Sequence, residues 1–157
     1  MNRLEAMEDR QFVFGTVLVL SNKLDTLLDR EMIPFGMTSK QWFLLLVVST
    51  LFDKAPTIKE AAKAIGTSHQ NVKQMALKLE QKGFLKLEKD SRDARATRLK
   101  PTEYSMTFWE KTQKRGEEFM DLTFSNLSDE ELKLLRSGLA KIMQNLTRIE
   151  EADNGEE

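Results

Sequence analysis

The sequence predicts a mainly α-helical protein with one small β-hairpin, and three observations carry that prediction. Apolar residues recur at alternating spacings of four and three near both ends of the chain. Capping boxes pair Thr38 with Gln41, Thr57 with Glu60 and Ser128 with Glu131, each just ahead of an apolar run. Apolar and charged residues alternate over Phe84-Leu85-Lys86-Leu87-Glu88-Lys89, a strand pattern.

The first long helix is expected from about Glu5 to Met32, ending before Pro34-Phe35-Gly36. Its Val13, Val17, Leu20, Leu24 and Leu27 form a narrow seam. The last helix begins at Ser128 and carries Leu132, Leu135, Leu139, Ile142, Leu146 and Ile149 in the same spacing. Either seam can line a partner helix for about 25 Å at 1.5 Å per residue. A homodimer built on Val13, Val17, Leu20, Leu24, Leu135, Leu139, Ile142 and Leu146 is the expected use, and an intramolecular helical hairpin would carry the same pattern. Between the seams, Thr38 to Phe52 is apolar on nearly every side and reads as a buried helix. A further helix from about Thr102 to Phe124 carries Tyr104, Phe108, Trp109, Phe119 and Leu122. The final Ala152-Asp153-Asn154-Gly155-Glu156-Glu157 reads as a frayed acidic tail.

At 157 residues, 40% hydrophobic and 31% charged, the chain has material for a core within one or at most two small domains. It has no cysteine, so disulfides, thiol switches, cysteine nucleophiles and cysteine-bound metals are excluded, as expected of a cytoplasmic protein. Alternating charges over Met1 to Arg10 do not fit a signal peptide. The longest later apolar run, Trp42 to Val48, is too short for a bilayer, and no membrane partner is expected.

The formal net charge of −1 conceals an asymmetry. From Lys54 to Lys100, basic residues outnumber acidic ones by seven, and the rest of the chain carries −8. Such a basic central third between acidic flanks suits a polyanion, although a solvated surface would look the same by charge alone.

The pattern inside that third decides. Thr57 and Glu60 cap a short helix through Ala61, Ala62, Ala64 and Ile65, which Gly66 stops. Thr67 and Ser68 then start a second helix, to about Lys82, with Val72, Met75, Ala76 and Leu79 on one side and Gly83 at its end. Two short helices across a tight glycine turn form a helix-turn-helix. The other side of the second helix presents His69, Gln70, Lys73, Gln74 and Lys78, groups suited to base edges and phosphates. Phe84 to Lys89 and Ala96 to Lys100 pair around Asp90-Ser91-Arg92-Asp93-Ala94-Arg95, giving a hairpin wing. Arg95, a guanidinium held by a neighbouring carboxylate, is the residue expected to enter the negative minor groove.

The stretches Thr38-Ser39-Lys40-Gln41-Trp42, Thr57-Ile58-Lys59-Glu60-Ala61-Ala62, Gln70-Asn71-Val72-Lys73-Gln74, Lys78-Leu79-Glu80-Gln81-Lys82-Gly83 and Asp93-Ala94-Arg95, followed by Pro101-Thr102, stand in one order. Together they resemble the MarR-type winged helix-turn-helix regulators. The resemblance covers Thr38 to Thr102, and the helical flanks look like that family's dimerisation helices. It implies three parts: dimer helices at 1–37 and 102–157, and a DNA-binding domain at 38–101. It implies a major-groove face of Ser68, His69, Gln70, Asn71, Lys73 and Gln74 and a wing tip of Asp93 and Arg95, and the expected DNA-binding set is completed by Thr67 and Lys78 on the helix and Arg92 and Arg98 on the wing. The implied partners are a second copy, a pseudo-palindromic duplex operator and a small-molecule effector, with repression relieved by that ligand as the expected mode. Phe35, Trp42, Phe108 and Trp109 would line the effector pocket, whereas their helical spacing by itself reads as core packing. Two positions depart from the family pattern. Leu87 stands where an Arg is common, and Pro101-Thr102-Glu103-Tyr104-Ser105 replaces a Leu-Thr-x-x-Gly run.

His69 is the single histidine, and with no phosphate loop and no nucleophile and base pair the chain offers no set of catalytic, metal or cofactor-binding residues. An enzyme is therefore not expected. The alternative from another class is a protein-interaction module, in which the winged helix is only a scaffold and the seams recruit a partner.

Overall fold

A computed structural model describes residues 7–153. The expected helix start at Glu5 and Asn154–Glu157 of the expected tail lie outside the described residues, whereas Met7 and Glu8 stand before the first helix and Ala152 and Asp153, expected in the tail, are still helical. The chain forms two compact units, one ending at Glu110 and the other beginning at Lys111.

In the first unit, helix α1 (Asp9–Met32) runs into a single 3-10 turn, Ile33–Phe35, and Gly36 closes that turn in the left-handed region at φ 62°. Helices α2 (Ser39–Thr50), α3 (Ile58–Ile65) and α4 (His69–Gln81) follow, then strands β1 (Leu85–Lys89) and β2 (Thr97–Pro101), and the unit closes within helix α5 (Glu103–Thr123). Both capping boxes form as the sequence requires. The hydroxyls of Thr38 and Thr57 accept the amides of Gln41 and Glu60, whose side chains accept the threonine amides in return.

The core gathers one apolar face from each element: Leu44, Leu45 and Val48 of α2, Ile58, Ala61 and Ala62 of α3, and Val72, Ala76 and Leu79 of α4. Phe84, Leu85, Leu99 and Phe108 complete it from the hairpin and α5. Helix α2, expected as a buried helix, buries Ser39, Gln41, Leu44, Leu45, Val47 and Val48, while Phe43 is 45% exposed and Lys40 and Thr50 also face outward. The hairpin is antiparallel, with Leu87 opposite Leu99 and Glu88 opposite Arg98, and the period of two puts Leu85, Leu87 and Leu99 toward the core. Leu87, at the position of family departure, is thus a packing residue. The outer edge of β2 is paired as well: Leu99 donates its amide to the Pro56 carbonyl at 2.8 Å, and Arg98 bridges to Thr57.

The seam residues of α1 are left open, with Val13, Val17, Leu20 and Leu24 between 37% and 51% exposed.

The second unit holds the remainder of α5 and helix α6 (Asp129–Asp153). Ser128 caps α6 by accepting the Glu131 amide at 3.3 Å while Glu131 accepts the Ser128 amide at 2.8 Å. No residue of α6 is buried, and Leu135, Leu139, Ile142 and Leu146 are all more than 40% exposed. Among the described residues, no helix is long and apolar enough to cross a membrane.

Candidate nucleic-acid interface

Helix α4 is delimited by its sequence at both ends. At its start, the Ser68 hydroxyl accepts the Asn71 amide at 3.2 Å, and the Asn71 side chain donates to the Thr67 hydroxyl at 3.2 Å. Three of the eight residues expected on the major-groove face, Thr67, Ser68 and Asn71, are therefore engaged in shaping the helix start. At its end, Gly83 takes φ 82°, and the amides of Gly83 and Phe84 donate to the carbonyls of Glu80 and Leu79 at 2.9 Å each. Only glycine adopts that turn without strain.

The other five, His69, Gln70, Lys73, Gln74 and Lys78, are exposed on one side of α4, and their side chains make no hydrogen bond or ion pair with the described residues. Opposite them, Val72, Ala76 and Leu79 are completely buried. The helix thus offers an unspent polar and cationic face from a rigid base. That is what reading a groove requires, since a side chain already bonded to its own fold has fewer donors left for bases or phosphates.

The wing tip is held by two aspartates through the backbone. Asp90 Oδ1 accepts the amides of Arg92 and Asp93, both at 2.8 Å, and Asp93 Oδ1 accepts the amide of Arg95 at 2.9 Å. The guanidinium that a carboxylate holds is that of Arg98, which corrects the expectation for Arg95. Arg98 Nε donates to Asp90 Oδ2, and its Nη1 donates to the Ala55 carbonyl at 2.6 Å and stands 4.0 Å from Glu60. Arg98, expected at the interface, therefore sits at the base of the wing as a staple to the start of α3. The Asp90 side chain is only 7% exposed, and its carboxyl is lowered to about 2, first by the Arg98 hydrogen bond and then by the two amides. Glu60 is lowered as well, chiefly by its two hydrogen bonds with Thr57. Arg92 and Arg95 remain at the exposed tip with no ion pair to the described residues.

Sequence reasoning passed over the residues that position these parts. Glu80 accepts the Leu87 amide at 2.8 Å, joining α4 to β1, and Thr102 donates its hydroxyl to the Gly83 carbonyl at 2.6 Å. The signal for Asp90 was present, because Asp two and three residues before free amides is a turn pattern. No local signal exists for Glu80 and Leu87, whose partnership depends on the turn between them.

The four aromatics expected at an effector pocket pack on one another. Phe35 meets Phe108 at 4.9 Å, Trp42 meets Trp109 at 6.3 Å, and Phe108 meets Trp109 at 4.9 Å, all edge to face. Trp109 also donates to the Ser49 hydroxyl at 3.3 Å.

The α3-turn-α4 pair and the β1–β2 hairpin define a winged helix-turn-helix protein. A sequence profile described as the MarR family matches residues 35–96. A solved MarR/EmrR family transcriptional regulator from Acinetobacter sp. ADP1 shares the fold with TM-score 0.79 and 18% identity, over 90% of this chain and 99% of that one. A MarR protein from Peptoclostridium difficile aligns with TM-score 0.77 and 19% identity, over 85% and 86% of the two chains. MepR of S. aureus, solved as a DNA complex, aligns with TM-score 0.73 and 21% identity, over 89% and 99%. Residues 35–96 are thus similar in sequence to the MarR family, and the fold is shared with solved proteins described as MarR regulators.

Proposed function

We propose that this chain is a homodimeric, sequence-specific regulator that binds a pseudo-palindromic operator in the cytoplasm, represses transcription, and is released by a small ligand. Residues 38–101 would supply the DNA-binding part, and 1–37 with 102–157 the dimer helices. The observation that carries this reading is the exposed, unbonded set His69, Gln70, Lys73, Gln74 and Lys78 beside a wing tip bearing Arg92 and Arg95. The DNA complex of a protein with this fold supports it. The open stripes on α1 and α6 support a dimer, because apolar rows of this regularity are costly to leave in water. Twofold symmetry then calls for half-sites roughly one helical turn, about 10 bp, apart. Phe35, Trp42, Phe108 and Trp109 are the candidates for ligand contact on this reading, by an opening of their present packing.

The test is selection of bound duplexes from a random pool by the purified protein at physiological salt. Enrichment of a pseudo-palindrome is the expected result. Binding that vanishes at moderate salt with no enriched sequence would favour the rival, a winged helix serving as a protein-interaction scaffold whose seams recruit a partner chain.

A further inference from the structure

Helix α4 is tied to the end of α1 by its own last side chain. The ammonium of Lys82, the residue that closes α4, donates to the carbonyl of Gly36 in the turn after α1, and to Gln41 Oε1 of α2 at 3.0 Å. Gln41 is 4% exposed, and the same oxygen accepts the Thr38 amide at 3.4 Å, so the cation meets a fixed acceptor. One residue away, α1 grips α2 directly. Asp29 accepts the Ser39 amide at 2.6 Å and Asp25 accepts the Ser39 hydroxyl at 3.0 Å, with Ser39 3% exposed. These carboxylates lie where the N-terminal dipole of α2 favours negative charge, and Lys82 lies on a carbonyl at the C-terminal end of the α1 turn, where it favours positive charge. A short polar chain therefore runs from α1 through the start of α2 to the end of α4. Hydrogen bonds of fixed direction add an angular constraint on α4 to the packing of the apolar faces of α2 and α4.

We propose that Lys82 is a positioning residue that fixes the angle of α4 against α1 and so sets the separation at which the two recognition helices of a dimer are presented. The first half of this statement concerns one chain alone; the second rests on the dimeric DNA-binding reading above. Because α1 carries one of the seams, any freedom between α1 and α4 becomes freedom in the distance between half-sites.

The cysteine-free sequence allows spin labels at two exposed positions, Lys23→Cys on α1 and Gln74→Cys on α4, diluted with unlabelled protein so that one chain is measured. The expected result is a narrow distance distribution that Lys82→Met broadens or displaces and Lys82→Arg restores. Should Lys82→Met fail to fold by circular dichroism, Lys82→Gln, which keeps a donor without the charge, takes its place. An unchanged distribution overturns the proposal. On unlabelled protein, affinities are then read on the selected operator and on duplexes with one base pair added or removed between the half-sites. The unsubstituted protein should lose about tenfold, or about 1.4 kcal/mol, on the altered spacings. Lys82→Met should lose much less, with its salt slope unchanged. Equal weakening at every spacing, or a slope reduced by about one, would make Lys82 a stabilising residue or a phosphate ligand and overturn the proposal. If the unsubstituted protein selects no duplex, the functional reading fails, and the label distances still decide the tie.

Discussion

Glu80 and Leu87 are joined by a single hydrogen bond of 2.8 Å, from the β1 amide to the α4 carboxylate, so α4 and the hairpin share one anchor although they lie on opposite sides of the Gly83 turn. Glu80→Ala should leave the half-buried Leu87 amide without that partner and cost about 1–3 kcal/mol of stability in urea unfolding. Glu80→Gln, which keeps an acceptor oxygen, should cost less than half as much.

Arg95 and Arg98 should separate in a salt titration. Arg95→Ala is expected to weaken operator binding and reduce the salt slope by about one, the signature of a lost cation at the phosphates. Arg98→Ala should lower affinity with the slope unchanged, because its guanidinium is spent on Asp90, Ala55 and Glu60. A slope loss at Arg98 instead would return it to the interface.

On the α4 face, Gln70→Ala or Lys73→Ala should change base preference by about 1–3 kcal/mol at the contacted position. Binding to matched and mismatched duplexes reads this directly, and an equal loss on every duplex would assign the residue to phosphates.

The wing should respond to acid through Asp90. Its folded carboxyl is lowered to about 2, so its contribution is complete above the ordinary carboxylate range near pH 4 and is lost as the pH falls through about 2. Following the Arg98 Nε proton by NMR should show the bond persisting to pH 3 or roughly so. Asp90→Asn should remove the titration.

For the seams, Leu139→Glu should raise the dissociation constant of the proposed dimer by about 100-fold or more, since burying a Leu is worth about 1.5–3 kcal/mol and symmetry counts it twice. Sedimentation reads the shift, and an unaltered dimer would remove α6 from the interface.

Among the described residues, the six α-helices and both strands could be read from residues alone where the signal was local, although the start of α1 and the 3-10 turn after it could not. Thr38 with Gln41, Thr57 with Glu60, Ser68, Gly66 and Gly83 act within a few residues of themselves, and their helices begin and end as read. The division of labour among the polar residues was not legible. Arg98 and Arg95 are chemically the same in a string of letters, and only the pairing of β2 with Pro56 and Thr57 carries Arg98 to the Ala55 carbonyl. Lys82 is likewise one lysine among nine in the basic third, and its partner Gly36 lies 46 residues away. The exposure of Phe43 on a helix read as buried has a related reason. Apolar periodicity reports the composition of a face and is blind to whether neighbours arrive to cover it.

The wing tip draws its shape from two carboxylates that hold backbone amides, and an amide is the same whatever side chain follows it. Form and exposed chemistry are thereby uncoupled in this loop. The residues between the aspartates and beside them, Arg92 and Ala94 among them, can be exchanged without redrawing the turn, while Asp90 and Asp93 cannot. A wing of this kind is a fixed socket for replaceable teeth, and a lineage or an engineer could alter the chemistry it presents by changing letters at the tip alone.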